Sequence, residues 1–193
     1  MSVADTQLVR TFIAVEIPAE IKARMAEVQA ELRKAGADVG WVRPEGVHLT
    51  LKFLGGIPAE SIDALGKAVE EAARGVAPFT LEVKGIGVFP NSKAPRVVWL
   101  GLGGDMDALA ALHEKIEAAC EPLGFAREER PFNPHLTLGR VKTQHGRDAL
   151  MRAVARFENV EAGIIRADAV SVMKSELMRS GAVYTEMRRI GLG

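Results

Sequence analysis

Residues 43–51 read RPEGVHLTL and residues 130–138 read RPFNPHLTL. The pattern R-P-x-x-x-H-L-T-L thus occurs twice, at an offset of 87 residues, once in each half of the chain. On a strand, residues two apart point to the same face. His48 then faces the same way as Thr50, and His135 the same way as Thr137. The intervening Leu49, Leu51, Leu136 and Leu138 face the opposite side, most simply the core. A duplicated fold explains the repeated leucines. It does not by itself explain a His and a Thr repeated on the face opposite them.

His is the side chain whose ordinary pKa lies closest to neutral pH. Two imidazoles flanking a substrate can divide the work, one taking a proton from water and the other protonating a leaving oxygen. Two Thr hydroxyls beside them suit the oxygens of a tetrahedral anion, so a phosphodiester is the natural substrate. A zinc reading fits poorly: Thr is a weak ligand, and no Cys, Asp or Glu stands at ligand spacing beside either motif. His113, in mid-helix, and His145, in a polar loop, read as surface residues.

Outward from the motifs, residues 47–54 read as one motif strand, with His48, Thr50, Lys52 and Leu54 on one face and Val47, Leu49, Leu51 and Phe53 on the other. Gly55-Gly56 ends it. Residues 134–141 form the second motif strand. Residues 9–17 are rich in β-branched and aromatic side chains and read as a strand. Ile21, Met25, Val28 and Leu32 mark a helix over 19–34, stopped by Gly36. Residues 41–43 are short and extended. A helix begins near Ser61, with Ile62, Leu65, Val69 and Ala72 as its stripe. Residues 79–89 and 96–102 pair across a Pro-bounded loop, and 105–123 and 147–157 read as helices. Residues 167–174 and 183–190 read as strands joined by a turn near Ser180-Gly181. Strands and helices in mixed order with hairpin signals favour an α+β design. With no Gly/Ser or Pro-rich linker, the expectation is a single bilobal domain over 1–193. Its two pseudo-symmetric lobes of antiparallel sheet each carry one motif strand, with helices on the outer faces and a shared central cleft.

The 193 residues are 48% hydrophobic and 26% charged, as in a soluble globular protein. Formal net charge is zero, which argues against a large non-specific nucleic-acid footprint and leaves contacts with a few terminal nucleotides. Cys120 is the only cysteine, so no intramolecular disulfide and no Cys-based zinc site can form. The opening MSVADTQLVR lacks the pattern of a signal peptide, and no apolar run approaches membrane-helix length. A cytoplasmic monomer, with no cofactor, no metal and no membrane partner, is the expectation.

At these residues the chain resembles the 2H phosphoesterase superfamily, named for two H-x-[ST] motifs, and within it the RNA 2′,3′-cyclic phosphodiesterases, also called 2′-5′ RNA ligases. The likeness covers nearly the whole chain. Arg10 to Val15 resembles the opening strand of that family. Trp41, His48 to Leu51 and Phe53 to Gly55 resemble its first motif. Phe89-Pro90 with Pro95 to Gly101 resembles its central hairpin, and Pro134 to Arg140 its second motif. Ser175 to Leu177 with Gly181 to Tyr184 resembles its closing hairpin. The resemblance implies metal-independent opening of a 2′,3′-cyclic phosphate at an RNA end, tRNA fragments and nucleotides included, to leave a 2′-phosphate. It also implies a reverse joining through a 2′-5′ linkage. By position, His48 would be the general acid toward the departing 3′ oxygen and His135 the general base for water. Thr50 and Thr137 would hold the phosphate oxygens, with Arg140 as a nearby cation. Phe12, Trp41 and Tyr184 are candidates for base or ligand contact, with packing as their competing role. Two other readings stand beside the enzyme: a non-catalytic binder of RNA ends or nucleotides on the same fold, and a 2H enzyme acting on another cyclic or 2′-5′ linked nucleotide.

Overall fold

The computed structural model describes residues 8–178 and 181–193. The reading of the extreme N-terminus falls largely on residues 1–7, and the closing turn near Ser180 on residues 179–180; both lie outside the described residues.

Among the described residues the chain builds two antiparallel sheets. The first has the order β3-β1-β8-β9, from β1 (Leu8–Val15), β3 (Leu49–Pro58), β8 (Ala169–Met178) and β9 (Gly181–Gly191). The second has the order β2-β6-β5-β4-β7, from β2 (Val39–Trp41), β4 (Phe79–Phe89), β5 (Val97–Gly104), β6 (Leu136–Val141) and β7 (Glu161–Ala167). One motif runs into β3 and the other into β6, so each sheet carries one. The architecture is the bilobal α+β design expected from the sequence.

The helices cover one face of each sheet, but not in simple chain order. Helix α1 (Ala19–Arg33) leaves the first sheet and packs against β7 and helix α4 (Arg147–Ala155) of the second. Helix α3 (Met106–Cys120) leaves the second sheet and packs against β3 and helix α2 (Ile62–Ala73) of the first. Their stripes, Ile21, Met25, Val28 and Leu32 on α1 and Leu109, Leu112 and Ile116 on α3, are buried in one continuous apolar core. Crossing helices tie the lobes into one unit. No helix is long and apolar enough to cross a membrane among the described residues.

The structure differs from the sequence expectation in four places. Strand β3 continues through Gly55-Gly56 to Pro58. Phe12 pairs with Phe53 and Thr11 with Gly55, leaving Leu54 as an extra residue, and Gly55 has φ +73°. A bulge with glycine in the left-handed region lets the strand go on rather than stop. Strand β7, with Ile164 and Ile165 adjacent, shows no clean alternation and was not expected. His113 is buried, 8% exposed, stacked on Phe132 with ring centroids 3.9 Å apart. Finally, Lys52 does not share the His48 face.

That last difference comes from a bulge within the motif itself. Ala14 pairs with Thr50 and Ile13 with Lys52, so Leu51 is an extra residue. In β6, Trp99 pairs with Thr137 and Val98 with Gly139, so Leu138 is extra in the same way. Each bulge reverses the parity of the strand after it. Lys52 therefore turns to the helix side with Leu51, and Phe53 to the His48 side. In β6, Gly139 turns to the helix side, and Arg140 shares the face of Trp99 and Thr137.

Buried polar groups cross between the motifs. The Lys52 Nζ donates to Glu117 Oε2 on α3 at 2.6 Å and to the carbonyl of Ala126 at 2.9 Å. Glu117 Oε2 also accepts the backbone N–H of Glu128. The first motif strand is thus tied to the segment that leads into the second motif. Gln29 on α1 makes the reciprocal tie. Its side-chain amide donates to the carbonyl of Leu138 in β6 at 2.8 Å and to that of Val42, ahead of the first motif, at 2.9 Å.

Candidate active site

His48 stands directly before β3, after a short 3-10 turn at Pro44–Gly46. Its side chain is only 7% exposed. The ring meets Phe12 and Tyr184 edge-on, with centroids 5.7 and 5.2 Å away. Gly46 is small for a reason here: a Cβ on it would lie 2.9 Å from the Tyr184 ring. The His48 Nε2 lies 3.3 Å from Glu16 Oε1. Burial lowers the His48 pKa below its usual value. The Glu16 carboxylate opposes that shift, and the Lys22 ammonium adds to it.

His135 stands directly before β6 in a matching place. Its ring meets Phe89 edge-on at 5.1 Å and lies 6.4 Å from Trp99. Nδ1 is 2.7 Å from the carbonyl of Asn133. A carbonyl can only accept, so Nδ1 carries the hydrogen and Nε2 of the neutral ring keeps its lone pair. That is the form a general base needs.

Thr50 and Thr137, half-buried, follow on the same strand faces as the two histidines. Arg140 is exposed and shares the Thr137 face through the bulge. The structure brings Tyr184 to His48, as a partly exposed wall. Phe12 is 3% exposed and lies beneath His48, Tyr184 and Phe53, so it packs rather than offering a face to a base. Trp41 pairs across from Gly139 at the sheet edge and carries the Arg33 guanidinium 5.3 Å from its ring centroid. It packs toward α1 and is not gathered with the histidines.

Sequence reasoning missed two residues. Phe53, 70% exposed on the His48 side, is the counterpart of Arg140 at the motif offset. That offset was the available signal. Glu16 had no motif to mark it and is found only through its place beside His48. The repeated arginines diverge: the Arg130 guanidinium is held by Glu128, whose carboxyl it pulls down to about 2. Among the described residues, no three His, Cys, Asp or Glu side chains converge as a metal-ligating group.

Two matching strands, each presenting a His and a Thr from its own sheet, form the candidate site. The family model for LigT-like phosphoesterases matches residues 15–99 and 103–184. An RNA 2′,3′-cyclic phosphodiesterase of Methanothermobacter thermautotrophicus is 37% identical over 179 residues, spanning 93% of this chain and 96% of its own. The crystal structure of TT0787 of Thermus thermophilus superposes with a TM-score of 0.77 at 31% identity, covering 95% of this chain and 97% of that one. E. coli LigT complexed with 3′-AMP gives a TM-score of 0.75 at 26% identity, covering 96% and 98%. The chain belongs to the LigT-like phosphoesterase family.

Proposed function

We propose that this chain opens 2′,3′-cyclic phosphates at RNA ends to 2′-phosphates by paired acid-base catalysis, with no metal in the chemical step. The observation that carries the reading is the twice-built motif, in which the same bulged strand presents a His and a Thr on one face of each sheet. The names of the curated relatives and the 3′-AMP complex of E. coli LigT point to the same substrate class.

In this reading His135 Nε2 takes a proton from water as the water oxygen bonds to phosphorus. The bond from phosphorus to the 3′ oxygen breaks, and His48 gives that oxygen its proton. The phosphate stays on the 2′ oxygen. Thr50 and Thr137 donate hydrogen bonds to the non-bridging oxygens as negative charge builds there, and Arg140 adds a cation beside them. With a 5′-hydroxyl in place of water, the same sequence joins the cyclic end through a 2′-5′ linkage: the hydroxyl loses its proton as its oxygen bonds to phosphorus, and the bond from phosphorus to the 3′ oxygen breaks. One chain supplies both motifs, so a monomer suffices, and its substrates are free RNA ends, tRNA fragments and nucleotides of the cytoplasm.

The test is single-turnover hydrolysis of a short RNA with a 2′,3′-cyclic phosphate end. His48→Ala and His135→Ala are each expected to lose about 100- to 10,000-fold in rate while keeping the wild-type fold by circular dichroism. Full activity in either variant removes that histidine from its role. A second product-free outcome, tight binding of the RNA by the wild type without turnover, would favour the end-binding reading.

A further inference from the structure

We propose that Glu16, backed by Lys22, is the positioning residue that holds His48 as the proton donor and so decides which of two matching histidines acts as the acid. This rests on the acid-base reading above and supplies what the repeat alone cannot. A twofold-repeated motif gives two equivalent imidazoles. Something outside the repeat has to make them different.

The register places the difference. Val15 pairs with Leu49, so the next residue of the β1 segment, Glu16, lies alongside His48. Its Oε1 sits 3.3 Å from Nε2. An acceptor at that distance favours a hydrogen on Nε2 of His48. His135 has only the Asn133 carbonyl on Nδ1 among its described hydrogen bonds, which leaves Nε2 free to accept. The charged and titratable groups facing His48 are Glu16 at the end of β1, Lys22 from α1 and Tyr184 from β9.

Lys22 has a separate task. Its Nζ lies 3.9 Å from Glu16 Oε2 and donates to the carbonyl of Glu45 at 3.1 Å. A bare carboxylate beside a phosphodiester would repel it; a paired one keeps its hold on the imidazole with less net charge toward the substrate. Burial alone disfavours the charged His48 ring. The carboxylate opposes that lowering and favours a hydrogen on Nε2, the one available to a departing oxygen.

The experiment combines a ring titration with kinetics. In the wild type, Glu16→Gln and Lys22→Met, the His48 and His135 ring signals are followed by NMR against pH, and kcat and KM are measured for a 2′,3′-cyclic nucleotide across the same range. In Glu16→Gln, His48 is expected to titrate at lower pH while His135 stays in place. The kcat is expected to fall about tenfold near pH 8 and little near pH 5.5, with KM nearly constant. In Lys22→Met, the His48 titration moves the opposite way. An unmoved His48 titration in an active Glu16→Gln variant, or an equal loss of kcat at every pH, overturns this inference alone. A wild-type chain that turns over no cyclic phosphate overturns the reading beneath it.

Discussion

The motif strands β3 and β6 share a sequence, a bulge and a His-Thr face, yet they are held in place by different chemistry. After its bulge, β3 turns Lys52 inward to a buried carboxylate, Glu117, at 2.6 Å, with both side chains under 5% exposed. At the matching position β6 has Gly139, where a Cβ would lie 2.7 Å from Val39 and 3.0 Å from Trp41. There the strand is held by the neutral Gln29 amide instead. The contrast repeats at the histidines. Each ring stands among aromatics, Phe12 and Tyr184 at His48 and Phe89 and Trp99 at His135, but among the described residues only His48 has a carboxylate, Glu16, within salt-bridge distance, itself paired with Lys22. The two copies share their strand geometry, and the neighbours of each copy differ. Both ties run from one motif to the approach of the other, so the spacing of the two histidines is carried by buried polar contacts as well as by apolar packing.

The sharpest way to break the comparison is to remove the charge that only β3 uses. Lys52→Met leaves Glu117 buried and unpaired and is expected to cost about 3–5 kcal/mol in urea denaturation. Lys52→Met with Glu117→Leu is expected to recover part of that loss, because replacing both charges removes the orphaned one. Recovery stays partial, since the carbonyl of Ala126 and the N–H of Glu128 lose their partners. A cost below about 1 kcal/mol for the single variant would show that the pair is not the tie described.

A smaller effect should sharpen the same contrast. His113 lies 3.7 Å from Glu117 Oε1, and burial lowers its pKa despite that carboxylate. A lowered folded-state pKa means that the unfolded chain binds the proton more readily. The stabilising contribution is then full above the ordinary value of about 6.5 and is lost as pH falls through the folded-state value. His113→Phe keeps an aromatic ring against Phe132 and removes the titration. Its stability is expected to fall less than that of the wild type between neutral and mildly acidic pH. Parallel curves would assign the acid loss to other groups.

Much of this was legible in the sequence because it rests on periodicity. The repeated H-L-T-L, the helical stripes and the hairpin signals point to two sheets, four helices and the histidine faces. Parity failed where a bulge intervened, because the insertion of one residue leaves no mark in composition. HLTLKFL alternates as well with Lys52 outward as inward. Only the offset that sets Phe53 against Arg140 and Lys52 against Gly139 hints at the slip. His113 reads as a surface residue because a helix position looks solvated until the opposing surface, here Phe132 and Glu117, is known. Glu16 was invisible for the same reason: its meaning depends on a partner 32 residues away, brought beside it by strand pairing.

The metal-free histidine pair stands or falls on turnover of a short RNA ending in a 2′,3′-cyclic phosphate, in the presence of a metal chelator, with the product isomer identified by phosphorus NMR. Undiminished turnover and a 2′-phosphate are expected, which fix the reaction class, the absence of metal from the chemical step and the 3′ oxygen as the leaving group. Turnover abolished by the chelator would contradict the metal-free acid-base pair, and a 3′-phosphate product would contradict the placement of His48 beside the departing oxygen.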